Sequence, residues 1–198
     1  MQKNNSMIKD ALILFVITII SGLCLGLVYQ ITLIPIKNAE QKAKQEAYKK
    51  VFTAAAAFEE DSALTQALAD YSAEGAVLEE VMAAKDASGN ELGYVMTLIG
   101  TEGYGGEIKM SVGVDASGAI TGLEVLSMSE TAGLGAKCTS EEFRGQFVGI
   151  NADEITVVKG EAGGDNEIAA ISGATVTSNA VTKAVNAGLS FLKAYAGK

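Results

Sequence analysis

Residues Val77-Leu78-Glu79-Glu80-Val81-Met82-Ala83-Ala84-Lys85-Asp86-Ala87-Ser88-Gly89-Asn90-Glu91-Leu92-Gly93-Tyr94-Val95-Met96-Thr97-Leu98-Ile99-Gly100 form two apolar segments joined by a turn. Aspartate can hydrogen-bond its own turn and glycine can take positive φ, so Asp86–Gly89 predicts a hairpin loop. The same tetrapeptide, Asp-Ala-Ser-Gly, recurs at Asp115–Gly118. It separates two further segments rich in Val, Ile, Leu and Met, Ile108–Val114 and Ile120–Met128. Together these segments predict an antiparallel meander of about four strands.

Outward from the meander the periodicity changes. Asn38 to Phe58 is rich in Ala, Gln, Glu and Lys, and Ala43, Ala47, Val51 and Ala55 fall at four-residue intervals, which predicts a helix. Glu59 to Glu74 is polar and is expected to be a connector with a helical turn. Thr139-Ser140-Glu141-Glu142 is a capping-box pattern opening a short helix through Phe143 and Phe147. Ile155–Val158 and Ile168–Ile171 are short apolar runs on either side of a Gly-rich acidic loop, Glu161–Asn166. Val181, Val185, Gly188, Leu192 and Tyr195 share a face of a last helix from about Ser178 to Ala196. The class is α+β, an antiparallel sheet with flanking helices.

Ahead of this domain, Ala11 to Ile34 contains no charged residue. A helix needs about 20 apolar residues to cross a hydrocarbon core of roughly 30 Å, and this run suffices. A cleaved signal peptide would have a shorter apolar region and a small-x-small cleavage site, which Leu25-Gly26-Leu27-Val28-Tyr29 offers poorly. A lipoprotein signal is disfavoured by Leu23 before Cys24, and a buried soluble helix is rarely this apolar all round. A retained single-pass anchor is expected. The chain then divides into a tail at 1–10, a transmembrane helix at 11–34, a linker helix and connector at 35–75, and the domain at 76–198. Lys3 and Lys9 precede the anchor and Lys37, Lys42, Lys44, Lys49 and Lys50 follow it, a count that leaves the orientation of a long domain open.

Composition narrows the chemistry. A net charge of -9 argues against a nucleic-acid partner, which needs clustered Lys and Arg. The chain has no His, which excludes a Ser-His-Asp triad, a His-ligated haem and a His-containing zinc site. Its two cysteines, Cys24 and Cys138, cannot hold an iron–sulfur cluster alone. Neither a metal site nor a catalytic residue is expected, so redox work here must use an organic cofactor. Cys138, with no neighbouring base or thiol, reads as incidental. Gly103-Tyr104-Gly105-Gly106 lacks the Lys-Ser/Thr of a phosphate loop and reads as a strand connection, with Tyr104 placed to line a pocket.

The run Ser172-Gly173-Ala174-Thr175-Val176-Thr177-Ser178 enters the last helix. A helix N-terminus has unpaired N–H groups and a partial positive charge that attract phosphate. Gly173 and Ala174 leave room for a ligand beside the backbone, and four hydroxyls surround one point. Simple capping needs only one of them. Physical reasoning on these residues leaves capping and anion binding both open.

Ser172–Ser178 resembles the flavinylation motif of the FMN-binding domain found in the Rnf and Na⁺-translocating NADH:quinone reductase complexes. The resemblance implies a phosphoester between FMN and Thr175, made by a dedicated flavin transferase, with Thr177 the nearest rival hydroxyl. Ser129-Glu130-Thr131-Ala132-Gly133-Leu134-Gly135 resembles the family's second segment, Glu-Thr-Pro-Gly-Leu-Gly, which lies over the flavin. By the same resemblance, Ser172, Gly173, Ala174, Thr177, Glu130, Thr131, Gly133, Leu134 and Gly135 are the cofactor-binding residues. Ala132 stands where the family usually has proline, Met128 where it commonly has His, and Ala169 where it often has Asp, a position that bears on transferase recognition. Length fits the G subunit of the Rnf complex better than the longer C subunit of the quinone reductase.

The resemblance implies an electron-transfer subunit of an ion-translocating ferredoxin:NAD⁺ oxidoreductase, not catalytic on its own and partnered by other membrane and redox subunits. Its flavin domain would lie on the extracytoplasmic side of the cytoplasmic membrane. The competing expectation is a cofactor-free, membrane-anchored binding or assembly subunit.

Overall fold

The structure, a computed structural model, describes residues 2–197, with side chains described from Met7 onward. Met1 of the expected tail, and the side chain of Lys3 from the orientation count, therefore lie outside the described residues. Helix α1 (Gln2–Val51) is continuous, and the chain divides into two compact units, Met1–Ala43 and Lys44–Lys198. In the first unit the large apolar side chains from Met7 to Ile36 are mostly exposed. An 18-residue window here has a mean hydropathy of 2.8, long and apolar enough to cross a membrane. Its hydroxyls turn inward on the backbone: Thr18 Oγ1 donates to the Phe15 carbonyl and Thr32 Oγ1 to that of Val28, both at 2.8 Å. Such bonds satisfy a polar group where no water is available.

In the second unit the meander has five strands, β1 (Ala57–Glu60), β2 (Ala76–Lys85), β3 (Glu91–Gly100), β4 (Ile108–Asp115) and β5 (Ile120–Ser127). They lie in sequence order and every pair is antiparallel. Both Asp-Ala-Ser-Gly turns close as hairpins. Asp86 Oδ1 accepts from the Ser88 and Asn90 amides, and Asp115 Oδ1 from those of Ser117 and Ala119. These bonds hold the Asp86 carboxyl below the usual range, the Asn90 side chain contributing most.

The sheet is covered on both faces, which the strand β3 shows by alternation. Tyr94, Met96 and Leu98 enter the core beneath α4 (Thr175–Tyr195), while Val95 joins Tyr48, Val51, Phe52 and Ala84 on the other side. Gly188 of α4 allows close packing, since a Cβ there would sit 2.9 Å from Met96 Cε. Each buried Leu, Val or Phe on these faces contributes about 1.5–3 kcal/mol relative to exposure.

Three expectations change. The helix predicted to reach Phe58 stops at Val51, because Phe52 turns into the core and Ala57–Glu60 pairs with the edge of β2. The polar connector contains a helix, α2 (Ser62–Asp70), whose start is capped by Asp61 accepting from the Ala63 and Leu64 amides. The last helix begins at Thr175, three residues earlier than its apolar stripe indicated. Beyond α3 (Glu141–Arg144), the two short runs form a separate parallel pair, β6 (Thr156–Val158) and β7 (Glu167–Ala169). β7 leads the chain directly into the turn before α4.

Candidate functional site

Ala174 precedes α4 without any side-chain cap, and the first intrahelical bond runs from the Ser178 amide to the Ala174 carbonyl at 3.1 Å. The amides of Thr175, Val176 and Thr177 therefore have no intrahelical acceptor. Gly173, at φ +78°, makes the turn that delivers the chain to this point; a Cβ on it would lie 3.2 Å from Leu134 Cδ2.

The four hydroxyls have separate tasks. Ser178 Oγ is buried, accepting from the Ile171 amide at 2.9 Å and donating to the Ala174 carbonyl at 3.0 Å. Thr177 is fully buried and its hydroxyl donates to Glu130 Oε2 at 2.7 Å. Ser172 is exposed and stands apart from the cavity. Thr175 is half-exposed and lines the cavity, and its hydroxyl has no hydrogen-bond partner among the described residues. None of the four caps the helix, so capping does not account for the run.

Glu130 is the polar centre of the site. It is 8% exposed, and its Oε1 accepts the Gly105 amide at 2.9 Å while Oε2 holds Thr177. Glycines surround it of necessity. A Cβ at Gly135 would lie 2.3 Å from Glu130 Oε2, and one at Gly103 would lie 2.7 Å from Oε1. Gly135 thus admits the carboxylate and also lines the cavity. Gly133, at φ +78°, shapes the exposed turn before Leu134 and does not line the cavity.

These elements enclose a cavity of about 600 Å³ lined by Glu130, Thr131, Leu134, Gly135 and residues 173–177, with Tyr104 on the opposite loop. That volume falls within the range of small-molecule sites, roughly 300–1,000 Å³. Tyr104, Leu134 and Val176 offer exposed apolar surface at its rim. Among the described residues no Lys or Arg lines it, so the cationic end of α4 is its positive feature there. Val176 was not singled out in the sequence, and the bond from the Gly105 amide to Glu130 was not foreseen. The glycines flanking Tyr104 were the visible trace of that approach.

Two neighbours complete the surroundings. Cys138 is fully buried, and burial, with the Glu130 charge second, pushes its thiol up to about 11, so it stays protonated and unreactive at neutral pH. Ala169 is held by its backbone: its amide donates to Gln146 Oε1 at 2.7 Å and its carbonyl accepts from Gln146 Nε2 at 3.4 Å.

Known proteins share both the domain and the anchor. Residues 103–190 match the FMN-binding domain and residues 1–51 match the RnfG N-terminal region. The chain is 38% identical to the G subunit of the Na(+)-translocating ferredoxin:NAD(+) oxidoreductase complex of Acetobacterium woodii, across 90% of this chain and 87% of that one. The chain belongs to the RnfG family. An RnfG relative from Methanosarcina acetivorans, the G subunit of an ion-translocating oxidoreductase complex, is 32% identical over the full length of both chains. The crystal structure of Shewanella oneidensis NqrC shares the fold, with a TM-score of 0.50 and 20% identity over 75% of this chain and 74% of that one. The FMN-binding match spans every residue that lines the cavity. Membership of the RnfG family and the long apolar helix together make this a membrane-anchored redox subunit.

Proposed function

We propose that this protein carries FMN as a phosphoester on Thr175 and relays electrons within an ion-translocating ferredoxin:NAD⁺ oxidoreductase complex. The observation that carries the assignment is the division of labour among hydroxyls: Thr177 is buried on Glu130, whereas Thr175 opens into the cavity without a partner.

The residues present fit the cofactor. Phosphate would be held at the start of α4, against the free amides of Thr175, Val176 and Thr177. Tyr104, Leu134 and Val176 provide apolar surface for an aromatic ring system. A covalent link also suits the electrostatics. A phosphate monoester carries about -1.5 to -2 charges at neutral pH, and no Lys or Arg lines the cavity to balance it. A helix terminus stabilises an anion by roughly 0.3–1 kcal/mol, too little to retain a small ligand by itself. The diester to Thr175 carries one charge and cannot dissociate. Bound flavin supplies one-electron redox chemistry; the protein fixes its position and surroundings.

The flavin domain, taken as 76–198, is placed on the extracytoplasmic side of the cytoplasmic membrane, tethered by the transmembrane segment 11–34 through the 35–75 linker. Other subunits of the complex exchange electrons with it, and a flavin transferase forms the ester. The test is co-expression with that transferase followed by denaturing electrophoresis. In-gel flavin fluorescence should persist in the wild type and in Thr177→Val, and vanish in Thr175→Val. Fluorescence lost only in Thr177→Val would move the attachment site, and none in the wild type would leave a cofactor-free anchoring subunit.

A further inference from the structure

Glu130 is a largely buried carboxylate at the wall of the cavity, and it forms no ion pair among the described residues. Its two oxygens join two walls: Oε1 holds the loop that carries Tyr104 through the Gly105 amide, and Oε2 holds the first turn of α4 through Thr177. Gly103, Gly105 and Gly135 leave space for this arrangement. Side chains at the first and third would strike the carboxylate, and one at Gly105 would lie 2.1 Å from the Ser129 carbonyl oxygen. A structural tie of this kind could be made by a neutral amide. The side chain seated here is instead a carboxylate, where none of the described lining side chains is a cation.

We propose that Glu130 sets the reducing strength of the flavin, holding the cavity at a negative potential so that a ring attached through Thr175 is harder to reduce and, once reduced, a stronger donor. This rests on the attachment at Thr175 proposed above. Reduction adds one electron to the ring, drawn from a ferredoxin-type donor or, in a titration, from dithionite, and that electron brings one negative charge into the cavity. A fixed like charge opposes it, and burial limits screening by salt. At an effective dielectric of about 20 and a separation on the order of one ring length, the effect is about a factor of ten in the one-electron equilibrium.

The decisive measurement is a reductive titration of the flavinylated full-length chain. Glu130→Gln preserves the shape, because the amide oxygen can accept from Gly105 and the amide nitrogen can donate to Thr177, but it removes the charge. Its midpoint potential should rise about tenfold in equilibrium constant, or ~59 mV for one electron. Thr177→Val keeps the charge and deletes a hydrogen bond, so its potential should stay in place or fall. An unchanged potential in Glu130→Gln, or equal rises in both variants, would overturn the proposal, the second result showing that cavity shape governs the potential.

A flavin-free readout keeps the two proposals separate. Thr175→Cys, expressed without transferase, places a thiol at the attachment point. The pH dependence of its alkylation by iodoacetamide, followed by peptide mass mapping, reports the local potential. Adding Glu130→Gln should raise its thiolate fraction about tenfold at a pH below its pKa. No increase would overturn the role of Glu130 even if that variant takes up no flavin. Absence of covalent flavin in the wild type would instead reject the attachment.

Discussion

Toward α4 the sheet presents Met96, Leu98, Met110 and Val112, all with no exposed surface. Toward the end of α1 it presents a polar row at neighbouring positions of β2 to β5: Glu80, Thr97, Ser111 and Glu124. Tyr48 crosses that row, its hydroxyl bonded to Glu80 and lying 2.7 Å from Thr97 Oγ1. Lys44 pairs with Glu80 at 2.6 Å and Lys50 with Glu124 at 3.0 Å. Backbone also approaches closely here, since a Cβ on Gly122 would lie 2.8 Å from Val51 Cα. The apolar face gives stability in bulk, and the polar face gives register: Glu80, Thr97 and Glu124 meet Tyr48, Lys44 and Lys50 of this helix end in one position.

If that contrast is right, the largest loss should come from the α4 side. Phe191 is fully buried and packs edge-on against Tyr71 at 5.2 Å. Phe191→Ala should cost about 3–5 kcal/mol, read as a lower urea midpoint for the full chain in detergent. Tyr48→Phe should cost about 1.5 kcal/mol through its bond to a carboxylate. It should also change the alkaline limb. Burial, and then the bond to Glu80, raise the Tyr48 pKa above its ordinary 10.0. The folded state thus keeps this proton where the unfolded chain releases it, so the contribution is complete below about pH 10 and is lost as pH rises beyond it. The variant should therefore lose stability less steeply above that pH. The smallest effect belongs to Ser111, whose buried hydroxyl has no hydrogen-bond partner among the described residues. Ser111→Ala should be neutral or stabilising by up to about 1 kcal/mol; a clear loss would show that the polar row is completed by a group bound to Ser111.

Period-2 segments and repeated Asp-Ala-Ser-Gly turns made the meander legible, because hairpin chemistry is local. β1 and α2 were not legible, because Ala57–Glu60 is strand only through pairing with β2, and Leu64 is the sole buried residue of α2. The site was legible as two motifs, and the cavity brings Glu130, Thr131, Leu134 and Gly135 against Gly173–Thr177. The contact between Gly105 and Glu130 spans 25 positions, a separation at which spacing carries no signal. The start of α4 was missed because hydroxyl residues weaken a helix pattern even when they form its first turn.

That first turn also bears on the order of maturation. The Thr175 hydroxyl can be reached in the finished fold, since nothing need be broken to expose it. The Thr177 hydroxyl is reached only by breaking its bond to Glu130 and opening the helix start. Of these two threonines, a modifying enzyme that meets the folded domain therefore reaches only Thr175 without opening the start of the helix.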